Sequence, residues 1–166
     1  MAPLDDFDDF VAARGQSLVR LAYVLTGDVG DAEDVVQDAL SRALPRWDKI
    51  RATASPEAYV RRMVVNANVS RWRRFRRQET PVVDVVPNGH AADSADLALD
   101  SVENHRLWVA VLALPRPQRV AVALRFHEGL SYAEIADLTD CREATARSHV
   151  FRGLEALRTS LKGDDR

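Results

Sequence analysis

Cysteine is nearly missing from this 166-residue chain, and the single Cys141 excludes an internal disulfide. There is no Cys-x-x-Cys pair, and His90, His105, His127 and His149 are scattered without ligand spacing. Neither structural zinc nor any other cofactor is therefore expected. Long apolar runs are missing too. No stretch approaches the ~20 residues of a membrane span, and the acidic N-terminus lacks the apolar core of a signal peptide. The expectation is a protein of the reducing cytosol, with no membrane insertion. Lysine is confined to Lys49 and Lys162, so arginine carries almost all the positive charge. Also lacking is a cluster of carboxylates or histidines beside the arginines, since Glu57 alone cannot build one. An enzyme acting on nucleic acid is accordingly not expected.

What is present is an ordinary apolar content of 46%, enough for a packed core in one domain or two small ones. The formal net charge of −2 hides a strong segregation of sign. Residues 1–40 carry nine acids against Arg14 and Arg20, residues 58–78 carry seven arginines and no acid, and residues 79–104 carry six acids and no Lys or Arg. What binds where is set by these local fields, not by the total.

Residues 55–77 read as one helix. Ser55 suits the N-cap, Pro56 the first helical position, and Glu57 the first turn, where the helix dipole favours an acid. Arg62, Asn66, Ser70, Arg73 and Arg77 recur at three- and four-residue steps and share a face, while Tyr59, Val60, Met63, Val64 and Ala67 form an apolar side. With Arg61, Arg71, Arg74 and Arg76 added and no carboxylate close by, the arginines repel one another unless a polyanion screens them. Asn66, Asn68, Tyr59 and Trp72 add groups that bond to bases or stack on them. The helix reads as a nucleic-acid surface.

Two amphipathic helices precede it. Residues 5–25 bring Phe7, Phe10, Val11, Leu18, Leu21, Ala22 and Leu25 to one face and end near a Thr26-Gly27-Asp28 turn. Residues 31–44 bury Ala32, Val35, Val36, Ala39, Leu40 and Ala43, leaving Glu33, Asp34, Gln37, Asp38 and Ser41 outside. That outer stripe fits a solvated acidic face and a docking surface for a basic partner equally well, though Asp31 at the helix start fits the solvated reading better. Pro45 ends the helix, and residues 48–54 read as a loop.

Residues 79–98, ETPVVDVVPNGHAADSADLA, have no helical period and read as a flexible acidic linker. The chain is thus all-α, with two small helical domains, 1–78 and 101–162, joined by residues 79–100. In the second, one helix stops at Pro115, another spans 117–127, and Ser131 with Glu134 forms a capping box that starts a short helix. A turn at 139–142 leads to a longer helix from Glu143, with Ala146, Val150, Leu154, Leu157 and Leu161 facing inward. Cap, turn length and spacing agree on a helix-turn-helix. Its second helix offers Glu143, Ala144, Arg147 and Ser148 to base edges, with Arg147 suited to guanine and Glu143 to cytosine. Arg142 and Arg152 are placed for phosphates. Tyr132 fits a phosphate contact or packing against the preceding helix.

Two DNA-contacting surfaces on one small chain resemble the extracytoplasmic-function group of bacterial sigma factors. AEDVVQDAL is similar to the family's polymerase-docking helix. YVRRMVVNANVSRWRR is similar to its promoter-melting helix, and LPRPQRVAVALRFHEGLSYAEIA with ATARSHVFRGLEALR to its region 4. The whole is most similar to an actinobacterial subgroup. The resemblance implies that Glu33, Asp34, Gln37 and Asp38 grip core RNA polymerase. It implies that residues 49–55 capture an unstacked base of the −10 promoter element, with Arg61, Arg62, Asn66 and Arg73 on the adjacent DNA, and that the helix-turn-helix reads the −35 element. A sequestering anti-sigma factor is a further partner it allows. Asp140, Arg142 and Ala146 depart from the family's usual Gly, Ser and larger aliphatic at those positions. A stand-alone helix-turn-helix regulator is the competing reading, and it leaves the arginine helix unexplained.

Overall fold

The computed structural model describes residues 6–78 and 102–163, and no strand occurs among them. The expected linker and the side chains of Arg76 and Arg77 lie outside the residues described. The chain divides into two compact units, Met1–Pro81 and Val82–Arg166, which confirms the all-α, two-unit architecture.

In the first unit, α1 (Phe7–Thr26) starts at Asp6, whose side chain accepts from the Asp8 N–H, and ends at Gly27 in the left-handed region at φ 77°. There the Gly27 N–H donates to the Tyr23 carbonyl at 2.7 Å. Asp28 then caps α2 (Val29–Ala43) by accepting from the Asp31 N–H at 2.9 Å. Helix α2 therefore starts earlier than the apolar pattern suggests, because Asp28, not Asp31, supplies the cap.

Residues 48–54, expected as a loop, are helical over 48–51 and non-helical over 52–54. A 3₁₀ turn, Leu44–Arg46, runs into a short helix α3 (Trp47–Arg51). Trp47 and Ile50 anchor it by burial, and Trp47 meets Phe10 at 4.9 Å and the edge of Phe7 at 5.4 Å between ring centroids. Burying such side chains is worth about 1.5–3 kcal/mol each, enough to hold a separate short helix after α2 has ended ahead of Pro45.

Helix α4 (Pro56–Gln78) is capped as its sequence predicts, with the Ala58 N–H donating to Ser55 Oγ at 3.2 Å. It packs on both α1 and α2 through Val60, Val64, Val65, Ala67 and Val69.

The second unit packs α5 (Val102–Leu112), α6 (Arg116–Phe126) and α7 (Tyr132–Thr139) against α8 (Glu143–Gly163). Leu114, Val122 and Leu157 form part of its core. Arg119 is fully buried, and its Nη1 donates to the Leu112 and Leu114 carbonyls at 3.4 and 3.5 Å. It thereby satisfies acceptors left over where α5 ends. Gly153 on α8 sits so close to α6 that a Cβ there would meet Val122 Cγ2 at 2.6 Å.

Candidate nucleic-acid interface

Three sequence expectations for α4 are revised by its surroundings. The arginines do have carboxylates nearby, brought in from other elements and from the helix's own first turn. Arg71 bonds to Asp31 and, at 3.4 Å, to Asp34, both on α2. Glu57 accepts from Arg61 at 3.5 Å and from Arg14 of α1 at 3.2 Å. Asn68 is only 3% exposed and cannot reach a base, whereas Tyr59, placed on the apolar side by periodicity, is 43% exposed. The remaining outward face holds Asn66, Ser70, Arg73 and Arg74, with Arg62 half-buried beside them. Asn66 and Arg73 share that face because they lie two helical turns apart.

On α2, Glu33, Asp34 and Gln37 are exposed and Asp38 is half-buried, pairing with Arg42 at 3.4 Å. The stripe is therefore accessible, but it is not uniform. Asp34 also ties α2 to α4 through Arg71, and Glu33 and Gln37 take no part in that tie.

In the second unit the capping box is complete: Glu134 N–H donates to Ser131 Oγ at 3.1 Å, and Ser131 N–H to Glu134 Oε2 at 2.8 Å. Asp140 takes the left-handed conformation, φ 55° and ψ 50°, that a glycine would adopt more cheaply. The turn thus keeps its geometry with a side chain in place. The Arg142 carbonyl accepts from the Ala146 N–H at 3.0 Å, while its side chain is exposed. Ala146 is 1% exposed, so the small side chain closes the α7–α8 contact.

Glu143, Ala144, Arg147 and Arg152 are exposed on α8, and Ser148 is half-buried. Arg147 Nη2 donates to Glu143 at 3.3 Å, so the two groups offered to different bases are joined to each other in the free protein. Phe151, 64% exposed, lies four residues beyond Arg147 on the same side of the helix. It belongs neither to the inward stripe of Ala146, Val150, Leu154, Leu157 and Leu161 nor to the polar groups that mark a base contact in the sequence. His149 is half-buried, and burial, followed by the neighbouring Arg152 charge, holds its pKa below the ordinary 6.5. Among the described residues no group of His, Cys, Asp and Glu is placed to hold a metal ion, and no helix is long and apolar enough to cross a membrane.

A helical unit with an arginine-bearing helix, followed by a helix-turn-helix unit, is the layout of a sigma-type transcription initiation protein. Residues 10–78 match the family description Sigma-70 region 2, and residues 104–157 match Sigma-70, region 4. The chain is 32% identical over 161 residues to the RNA polymerase sigma-E factor of Streptomyces avermitilis, covering 96% of this chain and 87% of that one. It is 31% identical over 145 residues to the ECF RNA polymerase sigma-E factor of Escherichia coli K12, covering 81% and 74%. Among solved structures it is similar to the sigma factor RpoE of Bartonella quintana, crystallised with the anti-sigma factor NepR. That match has 25% identity and a TM-score of 0.58, over 98% of this chain and 100% of that one. The extracytoplasmic function sigma factor SigJ of Mycobacterium tuberculosis gives 31% identity and a TM-score of 0.55, over 92% and 54%. The chain belongs to the extracytoplasmic-function family of RNA polymerase sigma factors. It is an alternative sigma factor that directs transcription initiation, a regulatory subunit of RNA polymerase.

Proposed function

We infer that the protein binds core RNA polymerase through the outer face of α2 and reads a promoter at two separate places. Glu33, Asp34, Gln37 and Asp38 form the docking face, and their charge suits a basic partner. On α4, Arg62, Asn66 and Arg73 contact DNA at the −10 element, and Arg61 joins them only by releasing Glu57. The helix-turn-helix enters the major groove at the −35 element, where Glu143, Ala144, Arg147 and Ser148 face bases and Arg142 and Arg152 face phosphates. Phe151 extends that face with an apolar group of the kind that packs on a thymine methyl. The domain limits are residues 1–78 and 101–162, with 79–100 as the connection between the two DNA surfaces.

One observation carries the reading: each unit presents its own exposed arginine-bearing helix face, so one chain has two independent grips on DNA. The protein performs no catalysis itself, takes no cofactor, and works in the cytosol beside polymerase and promoter. An anti-sigma factor, of the kind bound by the Bartonella relative, is included as a sequestering partner. Run-off transcription on a genomic promoter library, with and without core polymerase, tests the whole. Specific transcripts that require both protein and core support it. Tight promoter-specific duplex binding by the free protein contradicts it and favours a stand-alone helix-turn-helix regulator.

A further inference from the structure

Tyr132 is the first residue of α7, directly after the Ser131 cap, and it is half-buried. Two guanidinium groups lie over its ring, Arg125 of α6 at 4.6 Å and Arg147 of α8 at 5.1 Å from the centroid. Two cations on one ring repel unless each is also held elsewhere, and both are. Arg125 Nη1 donates to the Leu130 carbonyl at 2.9 Å, and Arg147 Nη2 donates to the Glu143 carboxylate at 3.3 Å. The negative face of the ring offsets the rest of the repulsion. Arg147 nonetheless stays open, with 63% of its side chain exposed.

We propose that Tyr132 is the positioning residue for Arg147. Its ring, steadied by Arg125, holds the Arg147 guanidinium where its N–H fork meets a guanine edge. This role rests on the reading that α8 enters the major groove. The physical reason lies in which part of the cation each contact uses. The Glu143 bond occupies N–H donors and must be released before they can serve a base. The ring contact draws on the charge and leaves the donors free, so it persists in the complex. An arginine already held gives up less rotamer freedom on binding, which sharpens discrimination at that one base pair. The tyrosine hydroxyl has no part in this role. That separates it from a phosphate contact, for which the hydroxyl is the whole of the interaction.

The test uses the full chain with core polymerase on duplex promoters, with each upstream base pair substituted in turn. Arg147→Ala identifies the base pair that Arg147 reads. Tyr132→Leu is expected to lower discrimination at that same pair about three- to tenfold and to leave the other positions unchanged. In the Arg147→Ala background, Tyr132→Leu should add nothing at that pair. Tyr132→Phe keeps the ring and should keep full discrimination. Tyr132→Met, which fills the space without a ring face, replaces Tyr132→Leu if that variant fails to show a native helical spectrum. A uniform loss on every promoter with Tyr132→Phe, or additive losses in the double variant, overturns the proposal. If Arg147→Ala changes no base preference, the major-groove reading of α8 fails first, and the positioning role fails with it.

Discussion

At Gly153, helix α8 comes so near α6 that one methyl group decides the fit. A Cβ there meets Val122 Cγ2 at 2.6 Å, with the Gln118 carbonyl at 3.5 Å behind it. Alanine in a helix gains roughly 1 kcal/mol over glycine in propensity, but overpacking a stiff β-branched neighbour costs about 1–3 kcal/mol. Gly153→Ala is therefore expected to destabilise the second unit by about 1 kcal/mol, and adding Val122→Ala should recover part of the loss. Urea melts of the two variants check this. His149 gives a pH signature at the same scale. Its folded-state pKa lies below 6.5, so the unfolded chain binds the extra proton more readily. The neutral form is kept above 6.5. As pH falls below that value, stability declines until the folded-state pKa is passed. Thermal melts from pH 8 to 5 should show a steeper acid-side loss for the natural chain than for His149→Gln, and parallel curves would count against a depressed His149.

Among the elements, α2 is pulled two ways. Its inner face is core, and its outer face carries both the proposed docking stripe and the Asp31–Arg71–Asp34 tie to α4. The tie is partly exposed, so solvent and salt screen it. Arg71→Ala should cost about 1 kcal/mol or less, the loss shrinking as salt is raised, as denaturation at two ionic strengths would show. Reversing Asp34 disturbs this tie as well as the outer face. Glu33→Arg with Gln37→Arg is the cleaner probe, expected to weaken core polymerase binding on the order of tenfold with the helical spectrum intact. Unchanged affinity in a pull-down would remove α2 as the docking face. The Arg71 tie also marks where the sequence stops being legible. The helices themselves were readable, because caps such as Ser55 and Ser131 and the apolar steps of α1 and α8 are local signals. Partners forty positions apart along the chain, like Asp31 and Arg71, are set by how α2 packs on α4, and no window of sequence holds that. Helix α3 was missed for a related reason. Pro45 is a local stop signal, while the reward for folding past it comes from Trp47 meeting Phe7 and Phe10 across the unit. Asn68 is buried where its polarity suggests a base contact, and Tyr59, which fits either the apolar side or a stacking role, is exposed, because polarity predicts exposure only when the helix face is already known.

At the scale of the whole molecule, each unit is proposed to read one promoter element of its own. The effects of changes in one unit should then be nearly independent of those in the other. Asn66 and Arg147 are suitable markers, since both side chains are exposed and neither belongs to a buried core. Arg147→Ala should weaken recognition at one upstream base pair by roughly 1–3 kcal/mol, and Asn66→Ala should leave upstream preference alone while impairing strand opening. The direct measurement is a permanganate footprint of the complex with core polymerase, made on duplex and on premelted promoter at one salt concentration. Arg147→Ala is expected to lose reactivity on the duplex and to keep it on the premelted template. Asn66→Ala is expected to lose downstream reactivity on the duplex with upstream base preference unchanged. Loss of the premelted signal with Arg147→Ala, or a shifted upstream preference with Asn66→Ala, would contradict the two-surface assignment.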